Sequence, residues 1–287
     1  MAFAGLAFVA AFSSCVRSTD VTPRQLRGVV DAQSPGVIAV AAMLPSGQLS
    51  LCSGALVGKN LVLTARHCVS RSLTTTPSCD SRGQSRNGVH LEDDVDPQSI
   101  AIYAGPVVHP NEDEPLARAT RTLHPSGNVL CDADVAFLVL DRQIETLPVL
   151  PMRLLGSVKE GDVVVPIGFG GGVTQNVGTR VPRGRSAVLA LGPRANSETG
   201  AVLGPREFEV DSATCRGDSG GPAIDAKTGE IVGVVSRGGS CTASGNHVYT
   251  RIDSYARLAD VAQMVADREL RLHVARAERE PMLRRRP

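Results

Sequence analysis

From Gly36 to Arg251 the chain is a series of short apolar or alternating runs, cut by Gly, Pro and polar turns, with no helical crossover between them. Runs at 36–44, 48–57, 61–64, 99–108, 135–140, 163–168, 185–191, 207–210, 223–224, 231–236 and 247–251 read as strands. Parallel neighbours need crossover helices, so the predicted sheet is antiparallel and the fold class all-β. The 29 Gly and 18 Pro fit many turns. Residues 70–99 are rich in Ser, Thr, Asp and Arg and read as mostly surface loop. The spacing changes only after Arg251. Tyr255, Leu258, Ala262 and Val265 recur three to four apart, which predicts a C-terminal helix capped by Asp253 or Ser254.

Thirty Lys and Arg stand against 29 Asp and Glu, a net charge of +1. That balance lacks the electrostatic footprint of a nucleic-acid binder. Aromatic residues make up 3% of the chain and Trp is absent, so base-stacking platforms are excluded as well. No apolar run reaches the roughly 20 residues that span a bilayer. Met1 to Ser14 carries no charge and is mostly Ala, Phe, Val and Leu, which reads as a secretory leader over 1–15 rather than a buried first strand. Residues 16–28 follow as a polar, basic linker or propeptide. Residues 267–287 form a basic tail.

Seven cysteines fit an exported protein: Cys15, Cys52, Cys68, Cys79, Cys131, Cys215 and Cys241. They include no Cys-x-x-Cys pair, and there is no His-Glu-x-x-His, so neither a metal nor a cofactor is expected. Phe12-Ser13-Ser14-Cys15 is similar to a bacterial lipobox, making Cys15 a lipidation candidate and a possible membrane anchor. The alternative is ordinary cleavage after Ala11.

Two segments carry chemistry. Leu63-Thr64-Ala65-Arg66-His67-Cys68 puts a His just after a strand. Cys215-Arg216-Gly217-Asp218-Ser219-Gly220-Gly221-Pro222 puts a Ser among glycines, whose backbone freedom allows a tight turn with converging amides. A serine hydroxyl needs a base, which His67 offers, and the base needs a carboxylate to hold its tautomer. Asp132 and Asp134, just ahead of the 135–140 strand, are both candidates.

These segments resemble the trypsin/chymotrypsin-like serine proteases, in the same order His, Asp, Ser. The resemblance covers about residues 29–266. It implies two six-stranded antiparallel β-barrels, about 29–150 and 151–252, with the active site between them and a C-terminal helix packed on the second. It implies peptide-bond hydrolysis through an acyl-enzyme, on protein or peptide substrates, by an extracytoplasmic monomer. A non-catalytic binding protein on the same scaffold is the alternative. Carried over by residue, His67 is the base and Ser219 the nucleophile. Asp134, followed by Val-Ala-Phe-Leu, is the orienting carboxylate, with Asp132 in reserve. The amides of Gly217 and Ser219 form the oxyanion hole. Pro166-Ile167-Gly168-Phe169-Gly170 resembles the family's Gly-Trp-Gly stretch. Cys52–Cys68 and Cys215–Cys241 match family disulfides, which leaves Cys79 and Cys131 to each other.

The substrate pocket departs from trypsin. Ala213 stands six residues before the nucleophile, where trypsin has Asp, and Asp211 lies two residues too early. Thr214, Ser236, Arg237 and Gly238 line the remaining wall, with Arg237 in place of an aromatic residue. His247, in place of a Gly, either enters the pocket or faces solvent. In the family a cut ahead of Ile-Val-Gly-Gly frees an amine that pairs with the Asp before the nucleophile, here Asp218. This chain has only Arg27-Gly28-Val29-Val30-Asp31.

Overall fold

In the computed structural model, residues 34–44, 46–171, 177–211, 214–238, 241 and 246–283 are described. The first barrel uses β1 (Val37–Met43), β2 (Leu49–Gly58) and β3 (Leu61–Thr64), then β6 (Ile100–Tyr103), β7 (Ala117–Leu123) and β8 (Ala136–Leu140). Its order is β1-β2-β3-β8-β7-β6, closed by β6 returning to β1. Between β3 and β6 lies a separate ribbon of β4 (Ser70–Ser72) and β5 (Leu91–Asp94).

The second half holds β9 (Val163–Gly168), β10 (Val181–Pro182), β11 (Ser186–Leu191), β12 (Arg194–Ala195), β13 (Val202–Leu203) and β14 (Glu207–Val210). It continues with β15 (Pro222–Asp225), β16 (Ile231–Gly238) and β17 (His247–Arg251). Six of these run β9-β11-β14-β17-β16-β15 and close because β15 also pairs with β9. β10 lies on β9 outside the ring, and β12 pairs with β13 alone. All the strand pairs are antiparallel, so the described residues form two six-stranded barrels and one C-terminal helix.

The alternation of each strand explains its place. Ile38, Val40 and Ala42 of β1 enter the first barrel's core. Val37, Ala39 and Ala41, on its other face, pack against Ile167 and Phe169 of the second barrel. Hence β1 is buried on both faces up to Met43. The same division runs through β3 and β8. Val62, Ala136 and Leu138 fill the barrel, while Leu61, Leu63, Phe137 and Val139 point out of it. Each fully buried Leu or Phe contributes about 1.5–3 kcal/mol of transfer free energy.

Those outward residues correct one expectation. The helix α1 (Ala256–Leu283), entered through a 3-10 turn at Asp253–Tyr255, does not rest on the second barrel alone. Tyr255, Ala259, Ala262 and Ala266 pack on the outer faces of β3 and β8, together with Ile231 and Val234 of the second barrel. Asn60 Nδ2 donates to the Ala266 carbonyl at 3.0 Å, and Arg121 pairs with Glu269. Its small alanines let the helix lie close to the sheet. The turn begins at Ile252 with no side-chain cap; Asp253 instead accepts from Arg251 and Ser157. α1 continues through much of the stretch read above as a tail. Among the described residues no helix is long and apolar enough to cross a membrane.

Two further differences concern strands. β7 is absent from the sequence reading because its inward residues are Ala117 and Ala119 and its outward ones include Arg118, so it carries no hydrophobic signal. The 70–99 segment is not all loop: β4 and β5 flank it, and Asp96 caps a 3-10 turn at Pro97–Ser99.

Candidate active site

β3 and β8 are neighbours, with Thr64 opposite Ala136. The residues just beyond these two positions therefore emerge side by side. His67 sits in the 3-10 turn Arg66–Cys68 that follows β3, and Asp134 sits two residues before β8. The His67 imidazole meets Asp134 through Nδ1 and Oδ2 at 2.8 Å, and the His67 backbone N–H donates to Asp134 Oδ1 at 3.0 Å. Ser236 Oγ donates to Asp134 Oδ2 at 2.7 Å. Asp134 is fully buried while His67 stays partly open to the cleft.

Electrostatics follow from this packing. Burial alone would raise the Asp134 pKa, but the imidazole charge and the bonds from His67 and Ser236 hold it below the usual carboxylate value. Burial alone would lower the pKa of His67, but the Asp134 carboxylate outweighs it and the net shift is upward.

Asp132 points elsewhere. It takes a positive φ of 61° and joins a second polar cluster. Its carboxylate accepts from the Arg206 backbone N–H, and its own N–H donates to Glu207 Oε1 at 2.8 Å. Burial pushes its carboxyl up to about 6, opposed by the Arg206 contact. Of the two candidate carboxylates, only Asp134 faces His67.

The second barrel supplies the opposite wall of the cleft, through the loop 214–221 ahead of β15. A hydroxyl outside the sequence motifs locks this loop to the first barrel. Ser53 Oγ donates to the Gly217 carbonyl at 2.7 Å and accepts from the Phe169 N–H at 2.8 Å. The Ser53 N–H donates to the Ser219 carbonyl at 2.8 Å. The loop demands glycine at two places. Gly217 has φ 98°, and a Cβ there would come within 2.9 Å of Gly170 Cα; Gly220 has φ 76° and would meet the Ser53 carbonyl at 2.6 Å. The N–H groups of Asp218, Gly220 and Gly221 bond the carbonyls of Cys215, Val235 and Asp218. Among the described residues no acceptor takes the N–H of Gly217 or Ser219.

His67 and Ser219 line one cleft of about 630 Å³, with Thr214, Cys215, Arg216, Ser236, Arg237 and Gly238. Ala213 lies outside the described residues, as does Cys15. Arg237 does not offer its charge to the cleft unpaired: it forms a fork with buried Glu207, at 2.5 and 2.7 Å, and also donates to the Val202 carbonyl. His247 does not face solvent. It is fully buried, with Nδ1 at 2.8 Å from Thr214 Oγ1, behind the hydroxyl that lines the cleft.

Three disulfides brace the site. Cys52–Cys68 fixes the His67 turn to β2, Cys79–Cys131 anchors the long loop beside Asp134, and Cys215–Cys241 ties the 214–221 loop to the β16–β17 connection. Among the described residues the one metal-like grouping is Cys52, His67 and Cys68, whose sulfurs are both in that disulfide and offer no thiolate.

Comparison with known proteins places this architecture. The mouse brain serine protease neuropsin superposes with a TM-score of 0.58 at 18% identity, over 80% of this chain and 95% of that one, which is a likeness of fold. In sequence, the cercarial protease of Schistosoma mansoni is 24% identical over 243 residues, covering 80% of this chain and 86% of the relative. A trypsin-like protease of Streptomyces glaucescens is 27% identical over 224 residues, covering 74% of each chain. The trypsin family profile itself matches residues 29–259, a stretch that spans both barrels and reaches into the helix. By that match the chain belongs to the trypsin family of serine proteases.

Proposed function

We propose that the chain is a serine endopeptidase working through Ser219, His67 and Asp134. The observation that carries this is the Asp134–His67 contact at the rim of the cleft that Ser219 lines. In this reading His67 removes the Ser219 proton as Oγ attacks the substrate carbonyl, then returns it to the leaving amine. Asp134 holds the tautomer with Nδ1–H toward itself, which leaves Nε2 as the acceptor. The unengaged N–H groups of Gly217 and Ser219 receive the oxyanion. Water then repeats the sequence on the acyl-enzyme.

A fluorophosphonate separates this reading from a scaffold that only binds. It is expected to modify Ser219 in the wild type and to leave Ser219→Ala unlabelled. An unlabelled wild type would favour the binding scaffold.

The base must be neutral to act, and the Asp134 carboxylate raises its pKa above the ordinary imidazole value. Activity is therefore expected to fall as pH drops through a midpoint above that of a free imidazole. Asp134→Asn removes the group that raises it and should move that midpoint down. A plot of kcat/KM against pH for both proteins checks the sign.

The pocket side of the cleft offers the Thr214 hydroxyl, with His247 behind it, while the Ser236 hydroxyl is committed to Asp134. With Ala213 in place of an acid, small polar or acidic side chains before the cleaved bond suit it better than Lys or Arg. We further propose that the leader and the disulfides belong to an exported protein, with Cys15 the point of any lipid anchor. The protease domain then spans 29–266. Mass spectrometry of the mature N-terminus tests these assignments.

A further inference from the structure

The carboxylate beside the nucleophile, Asp218, is 1% exposed, and a buried carboxylate without a cation is costly. Its partner is Arg183. Arg183 Nη2 lies 2.8 Å from Asp218 Oδ1 and 2.7 Å from Oδ2, and also donates to the Gly170 carbonyl at 2.7 Å. The Arg183 side chain is itself only 9% exposed. The remaining capacity of the carboxylate is spent on backbone: Oδ1 accepts from the Gly170 N–H at 2.8 Å and Oδ2 from the Cys215 N–H at 2.7 Å. Space is closed as well. A Cβ on Gly170 would lie 2.6 Å from Asp218 Cγ.

Arg183 reaches this position through the fold. β10 pairs with the end of β9, Val181 opposite Gly168, and the Arg183 N–H donates to the Pro166 carbonyl at 2.8 Å. That pairing lays the side chain along the Gly168–Gly170 stretch, directly against the Asp218 carboxylate. Asp218 in turn folds the loop: its Oδ2 holds the Cys215 N–H, and its N–H holds the Cys215 carbonyl at 3.0 Å. Among the described residues, this tight turn leaves the Gly217 and Ser219 N–H groups without an acceptor.

We infer that Arg183 is the resident cation that orders the 215–221 loop, so that the chain needs no freed α-amine, and no activating cut, to form its oxyanion site. Arg183 is a positioning residue. It acts on the reacting atoms only through Asp218. The catalytic part of the inference rests on the proposed protease reading; the ordering of the loop does not.

The test uses the full chain with three changes and three readouts. A fixed N-terminal extension that keeps the α-amine away from the fold should leave fluorophosphonate labelling and peptide hydrolysis within about twofold of the unextended chain. Arg183→Gln should lower kcat on the order of 10²-fold or more, the scale for losing oxyanion-hole donors. It should also speed hydrogen–deuterium exchange of the 215–221 amides at least tenfold, with the first barrel's protection unchanged. Arg183→Lys, which keeps the charge, should restore part of both, and it keeps the inference testable if Arg183→Gln fails to fold. Unchanged exchange at 215–221 in Arg183→Gln, or an extended chain that is inert until cut, overturns the inference. If the wild type never labels while the exchange still responds to Arg183, the ordering role stands and the protease reading falls.

Discussion

Ser219→Ala is expected to lower kcat on the order of 10⁶-fold with the fold intact, and His67→Ala should cost about the same. The double variant should be little worse than either single one. In the proposed mechanism the two side chains act in one proton transfer, so removing the acceptor leaves nothing for the nucleophile to lose, and the reverse. Ser219 is only partly buried and, among the described residues, its hydroxyl makes no hydrogen bond, so the melting temperature of Ser219→Ala should stay close to wild type. The residual rate should come from the Gly217 and Ser219 amides and from substrate binding. Steady-state kinetics with a thermal melt for each variant provide the check. A strictly multiplicative loss in the double variant would mean that His67 and Ser219 do not act together.

The second large effect concerns the carboxylate. Asp134→Asn should reduce kcat on the order of 10⁴-fold. An amide nitrogen in place of Oδ2 would donate toward Nδ1, so the ring would carry its proton on Nε2, the atom that has to accept one. Ser236 Oγ, which donates to Oδ2 in the wild type, would have to turn and accept from that same amide nitrogen. Asp132→Asn should stay within about threefold of wild type. Its carboxylate faces Arg206, away from the imidazole. If Asp132→Asn proved the damaging change, the assignment of the orienting group would be reversed.

How far these features were legible beforehand depended on where their signals lie. All six strands of the second barrel stand out in the sequence, as short apolar or alternating runs bounded by Gly, Pro and polar turns. β7 does not, since it turns only Ala117 and Ala119 inward, and Arg118 or Thr120 outward resembles loop. His67, Asp134 and Ser219 each sit in a local pattern of neighbours, which a chain displays before it folds. Ser53 and Arg183 have no such pattern. One hydroxyl after Cys52 and one Arg after a two-residue strand become meaningful only when strand pairing sets them against partners 164 and 35 residues away. The helix placement went astray for a related reason. Spacing defines which face of α1 is apolar, but not which sheet the face will meet.

That last point has a consequence for how the molecule holds together. α1 leaves the second barrel and beds on the outside of the first, as a clasp across the back of the pair. The front cleft divides its working groups between two lobes, so any hinge motion there would pull His67 and Ser219 apart. A strap anchored on both lobes converts two small cores into one cooperative unit, in which neither lobe can melt without breaking the contacts of the other. Alignment at the front is thereby underwritten from the rear, by residues that touch no substrate.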